Sequence, residues 1–274
     1  MSTIFNKPIN EIIQMRHSVR NYTDESLSID LINKINEYIE NVNNPFNKNI
    51  KIKLIEKDSF DNIKLGTYGV IKGAKYFLVS ACDNEDKALT ALGYTLEKVI
   101  LYCTSLGLGT VWLGGTFNKS NFSKTINLSE NEIVPIVSPV GYESNKKSII
   151  SYAFGKNSNR RKSFEAVFFN KDLDNALSHE EAGNYFEPLE MLRLAPSAVN
   201  MQPWRVIKDN EKYHFYVNNS RSSLKDYSKI DIGIALCHFH LSCIENNLDG
   251  DFNYIDSIKD KYHNLTYILS WTSK

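Results

Sequence analysis

The chain has 274 residues, 42% apolar and 23% charged, with 32 basic and 32 acidic side chains. This length and composition belong to a globular protein able to bury about three quarters of its unfolded surface. The zero formal net charge sets up no basic field for nucleic acid, and no run reaches the ~20 apolar residues that span a bilayer.

Met1 to Pro8 lacks the charged-then-apolar order of a secretory signal. Cys82, Cys103, Cys237 and Cys243 show no C-x-x-C spacing, so buried thiols in a reducing cytoplasm are expected. His238 and His240 do not share a helix face, so no metal is expected. In chain order, Ile9, Ile12 and Ile13 predict a helix over about 8–16. Ser28 caps a second over about 28–41, with Leu31, Ile32, Ile35 and Ile39 as its stripe. Strands over about 50–56 and 75–81 precede a long apolar helix over about 89–106. A short helix over about 130–133 leads into a strand over about 133–141. Residues 143–162 are polar and read as a long crossing linker. Helices over about 163–169, 186–194 and 230–246, with strands over about 204–208, 212–217 and 264–271, complete an α+β layout.

Three stretches carry polar chemistry. Arg16-His17-Ser18-Val19-Arg20 offers two guanidiniums, an imidazole and a hydroxyl, a compact set for anion oxygens. The same residues also suit a solvated basic helix end. Gly107-Leu108-Gly109-Thr110-Val111-Trp112-Leu113-Gly114-Gly115 lets backbone pass close to a flat ligand, or is a helix cap followed by a turn. It matches neither the dinucleotide fingerprint nor the phosphate-binding loop. In Ala195-Pro196-Ser197-Ala198-Val199-Asn200-Met201-Gln202-Pro203-Trp204-Arg205, two prolines interrupt regular structure. Ser197, Asn200 and Gln202 then sit on a stiff loop able to read a planar, polar-edged ligand, or to serve as a capped connector. Gly66-Thr67-Tyr68-Gly69 is a further turn before a strand.

With Val137-Ser138-Pro139-Val140-Gly141-Tyr142, these stretches resemble the nitroreductase family of FMN-dependent oxidoreductases over roughly residues 8–250. The resemblance implies a central mixed, mainly antiparallel sheet flanked by helices. It implies FMN as cofactor, NADH or NADPH as co-substrate, and a nitroaromatic, quinone or similar small molecule as electron acceptor. Arg16, Ser18 and Arg20, with His17 among them, would hold phosphate and ribityl oxygens. Leu113, Gly114 and Gly115 would approach the ring's reactive edge through backbone. Pro196, Ser197, Asn200 and Gln202 would cover the ring. Arg161, from Arg160-Arg161-Lys162, would be a late basic partner for the phosphate. Gly66 to Ile71 is a further place of flavin contact. No protein acid or base is obligatory, since the cofactor carries the redox chemistry.

The order of these stretches departs from the family. The A-P-S loop ordinarily follows the arginine motif; here it comes after everything else, and Asn41 to Lys48 stands in its place like an eroded copy. Gly93, Leu101, Cys103 and Leu108 recur as Gly233, Leu241, Cys243 and Leu248, at a constant spacing of 140 (233 − 93). The chain therefore reads as two tandem half-units, 1–165 and 166–274, mimicking the family homodimer. One FMN would be held between the halves, in a monomeric pseudo-dimer or a homodimer of such chains. Two other readings stay open: a flavin-binding protein without turnover, or with another use of flavin such as reductive dehalogenation, and a scaffold that has lost catalysis.

Overall fold

The computed structural model describes residues 5–60, 63–144, 160–218 and 225–274; most of the polar linker lies outside them. The chain divides into two compact units, Met1–Asn159 and Arg160–Lys274.

In the first unit, α1 (Ile9–Met15) buries Ile9, Ile12 and Ile13. The second helix, α2 (Ile29–Asn41), starts where the Ser28 hydroxyl accepts the Leu31 N–H, and buries Ile35 and Tyr38. Four antiparallel strands follow: β1 (Lys51–Glu56), β2 (Tyr76–Asp83), β3 (Gly109–Thr110) and β4 (Glu132–Gly141). Their order in the sheet is β1-β2-β4-β3. β2 is buried from Tyr76 to Cys82, as a central strand covered on both faces must be. Between β2 and β3 runs α3 (Asp86–Ser105), buried nearly all round, which explains why it reads as a continuous apolar run. A short α4 (Lys119–Ser123) precedes β4.

The second unit repeats that plan. Its helices are α5 (His179–Ala182), α6 (Phe186–Arg193) and α7 (Lys225–Glu245), and its strands β5 (Phe168–Asn170), β6 (Trp204–Asp209), β7 (Lys212–Asn218), β8 (Gly250–Asn253) and β9 (Leu265–Ser273). The sheet order is β5-β6-β7-β9-β8. Without β5, it repeats β1-β2-β4-β3, with α7 inserted where α3 stands. Among the described strands, only β5, parallel to β6, breaks the antiparallel pairing. Each unit thus has the mainly antiparallel sheet flanked by helices that the sequence led us to expect.

The two long helices also end alike. After α3, Gly107 takes φ +80°, Leu108 N–H bonds Cys103 carbonyl and Gly107 N–H bonds Thr104 carbonyl. After α7, Asn247 takes φ 55°, Leu248 N–H bonds Cys243 carbonyl and Asn247 N–H bonds Ile244 carbonyl. Both are Schellman caps, with glycine in one and asparagine in the other, the two residues that tolerate left-handed backbone best.

Two expected helices are not there. Residues 130–133 form a turn, Glu132 N–H to Ser129 carbonyl, from which β4 departs. Residues 163–169 hold one 3-10 turn, Phe164–Ala166, then β5. Val167 and Phe168 are fully buried, and a short apolar run of that kind does not by itself distinguish helix from strand.

Candidate functional site

In the first unit the arginine motif is threaded between two segments. Val19 N–H bonds the Thr110 carbonyl at 2.9 Å and Tyr22 N–H bonds the Lys72 carbonyl at 2.8 Å. Ser18 thereby runs parallel beside Thr110. The approach is close: a Cβ on Gly109 would stand 2.7 Å from the Val19 side chain, and one on Gly73 would stand 2.2 Å from the Tyr22 carbonyl oxygen. Gly109 is what lets the motif lie against the Gly-rich segment, and Gly73 what lets it lie against Lys72.

Arg16 follows the last residue of α1 and is buried, its side chain 5% exposed. Its Nε lies 3.6 Å from Oε1 of Glu97, which is fully buried on α3. The other Glu97 oxygen accepts the Trp112 indole N–H at 2.9 Å. Nε and Nη1 of Arg16 have no hydrogen-bond partner among the described residues, an arrangement that buried guanidiniums rarely adopt without a ligand to complete it. Burial pulls the Arg16 pKa below its ordinary value, with Glu97 opposing. A cleft of about 120 Å³ opens here, lined by Arg16, His17, Thr104, Gly107, Gly109 and Glu143 among others. So the motif's first arginine is no solvated helix end. His17 is the exposed member, with Nδ1 3.0 Å from the Met15 carbonyl and Nε2 2.8 Å from Glu143. Burial lowers its pKa, but the Met15 carbonyl and Glu143 outweigh that and raise it. Two acceptors on two ring nitrogens suit the imidazolium. Ser18 and Arg20 are half-buried beside them, and burial lowers the Arg20 pKa. Leu113 exchanges both backbone hydrogen bonds with Val137, after which Gly114 and Gly115 turn outward. Tyr68, at φ 48°, is 70% exposed on its turn.

The A-P-S loop of the second unit is strained. Val199, Asn200 and Gln202 all adopt left-handed backbone, at φ 45°, 57° and 50°. For β-branched Val199 this is a real outlier, and such strain persists only where surroundings hold it. The holding groups are visible. Both Asp231 carboxyl oxygens accept the Ala198 N–H, at 3.0 and 3.1 Å. Ser197 Oγ accepts the Gln202 N–H at 2.8 Å. Gln202, buried, accepts the Lys162 N–H through Oε1 and donates Nε2 to the Arg160 carbonyl. Arg161 donates to the Leu194 carbonyl and to Asn200 Oδ1. Arg161, Ser197, Asn200 and Gln202 are therefore one network, next to Pro196. Lys162 and Arg205 both donate to the Gln202 carbonyl. Burial, helped by Arg205, brings the Lys162 pKa down to about 8.

The predicted site residues thus fall into two groups: Arg16, His17, Ser18, Arg20, Leu113, Gly114 and Gly115 in the first unit, and Arg161, Pro196, Ser197, Asn200 and Gln202 in the second. Sequence reasoning missed Glu97, Trp112, Glu143, Asp231, Lys162 and Arg205. Two had a signal: Glu97 interrupts the apolar run of α3, and Asp231 stands between Ile230 and Ile232. A charge among core positions is rarely there without a partner. Among the described residues no cluster of His, Cys, Asp or Glu could hold a metal ion, and no helix is long and apolar enough to cross a membrane.

A protein-family model described as "Putative TM nitroreductase" matches residues 8–243. No curated protein matches the chain. Among solved structures, one from Thermotoga maritima, described in the same terms as a putative nitroreductase, aligns with a TM-score of 0.63 at 18% identity, covering 97% of this chain and 93% of that one. A nitroreductase family protein from Clostridium novyi gives a TM-score of 0.42 at 19% identity, covering 52% of this chain and 89% of that one. A nitroreductase with bound FMN from Bacteroides fragilis gives 0.41 at 15%, covering 53% and 92%. The fold and the matched span define a nitroreductase-like α+β protein of oxidoreductase class. The chain belongs to the nitroreductase family, in the branch matched by the Thermotoga-type model.

Proposed function

We propose that the chain is an FMN-dependent oxidoreductase that passes hydride from NADH or NADPH to a nitroaromatic, quinone or similarly electron-poor acceptor. The observation that carries the reading is Arg16, a buried residue in the lining of a cleft whose Nε and Nη1 have no partner among the described residues. A phosphate oxygen is the acceptor such a group lacks, so the residues present fit FMN. FMN, when bound, supplies the hydride acceptor and donor of the cycle. Arg16, with His17, Ser18 and Arg20 beside it, holds phosphate and ribityl oxygens. Leu113, pinned to Val137, presents the backbone of Gly114 and Gly115. Asp231, Ser197 and Arg161 hold the A-P-S loop so that Pro196, Asn200 and Gln202 keep one shape, which lowers the ordering cost of binding. Arg161 adds positive charge for the phosphate. No side chain is assigned as acid or base.

The repeated sheet order and the matched helix caps support reading the two units as fused counterparts of a homodimer. The test is the visible spectrum of the purified chain, followed by anaerobic NADH or NADPH. A yellow chain with about one FMN per polypeptide that bleaches on addition is the expected result. A yellow chain that stays yellow points to flavin binding without turnover. A colourless chain that ignores added FMN ends the proposal.

A further inference from the structure

Glu97 has no place in the reading above, yet it touches two of the segments that reading relies on. Its carboxylate lies between two donors, the Arg16 guanidinium on Oε1 and the Trp112 indole N–H on Oε2. It is fully buried on α3, so no bulk water substitutes for either partner, and a buried carboxylate is tolerated only when paired. The Arg16 contact is 3.6 Å and falls short of a hydrogen bond. The guanidinium is thus neutralised from one side but not saturated by it.

We infer that Glu97 is a positioning residue that couples anion occupancy at Arg16 to the segment carrying Trp112, Leu113, Gly114 and Gly115. This rests on Arg16 being the phosphate ligand. A phosphate drawing on the Arg16 donors weakens the hold of the guanidinium on Oε1, and the carboxylate responds at Oε2, where Trp112 is bound. One buried side chain then aligns the phosphate end and the glycine segment of the cofactor site together. Glutamate is required for this. Glutamine has the same shape but offers one acceptor and one donor to a place where two donors converge, so it satisfies the indole or the guanidinium, never both.

The experiment uses the full chain labelled with 5-fluorotryptophan. Three fluorine resonances arise from Trp112, Trp204 and Trp271, and W112F assigns the first. Trp112 does not line the Arg16 cleft, so a shift on adding inorganic phosphate reports coupling and not contact. The expected result is a phosphate-dependent shift of Trp112 alone, lost in R16A and in E97Q. Because the Glu97 carboxylate and the phosphate draw on the same guanidinium, the coupling is reciprocal, and E97Q binds phosphate as tightly as the wild type or more tightly; weaker phosphate binding in E97Q overturns the inference. A silent Trp112 in phosphate-saturated wild-type protein overturns the inference without any variant, and so does a shift that survives in E97Q. If E97Q does not fold, the wild-type titration decides. Unchanged FMN affinity in R16A removes the reading of Arg16 and this inference together; weakened FMN binding in R16A with a silent Trp112 removes only this inference.

Discussion

At the scale of single residues, burial decides which polar groups matter. Arg16 and Asp231 are both buried ionisable residues, and both have chemistry that exposed residues of their type lack. Arg16→Ala is expected to weaken FMN binding by about 1.5–3 kcal/mol, the worth of a charge-assisted hydrogen bond, as read by flavin fluorescence titration. Unchanged affinity would remove the phosphate assignment. Asp231 leads to a pH prediction. Burial raises its pKa to about 8, against the pull of the Ala198 N–H. A carboxyl raised above its unfolded value binds a proton more tightly when folded, so stability falls as pH rises from about 4 to about 8. Asp231→Asn keeps an acceptor for Ala198 and removes the titration. Its denaturation midpoint should vary less across that interval than the wild type's; an equal slope in both proteins would show that Asp231 is not the titrating group. The polar motifs were legible as candidate sites because their residue types are unusual together. That Arg16 is buried, and that Glu97 is its counter-ion, was not legible, because sequence spacing shows which residues share a helix face but not what that face meets.

At the scale of elements, glycines and caps place the motifs. Gly109 lets the arginine motif approach β3, and a Cβ there would meet Val19 at 2.7 Å. Gly109→Ala should cost about 1–3 kcal/mol, the range for overpacking, measured by chemical denaturation. The α7 cap makes a separate prediction. Asn247 sits at φ 55°, so Asn247→Gly should be neutral or slightly stabilising, while Asn247→Val should lose about 1–2 kcal/mol to left-handed strain. Equal midpoints for the two variants would show that the cap is not what ends the helix. The elements read correctly from sequence include the long ones with a clear stripe or cap, such as α2, α3 and α7, and short ones such as α1, α6 and β1. The misread ones, at 130–133 and 163–169, are short, and pairing with a neighbouring strand outweighed the local pattern.

At the scale of the whole molecule, the two units share a strand order, a helix insertion point and a cap geometry, yet they keep different motifs. The first keeps Arg16 to Arg20 and Gly107 to Gly115; the second keeps Ala195 to Arg205. If both serve one FMN, Asn200→Ala should weaken flavin binding or slow its reduction even though Arg16 is intact, and stoichiometry should stay near one FMN per chain. Two FMN per chain, or an Asn200 variant indistinguishable from wild type, would mean that the units bind independently or that the second takes no part.

The sequence by itself determined the family, the α+β class, the long helices and the polar loops, because periodicity, caps and rare residue combinations are local properties. Tertiary structure alone decided what those residues became. It buried Arg16 against Glu97, held Val199, Asn200 and Gln202 in left-handed backbone through Asp231 and Ser197, and turned 163–170 into a turn and an edge strand. Each outcome depends on partners far away in the chain, and distance in sequence carries no record of which surfaces will exclude water from one another.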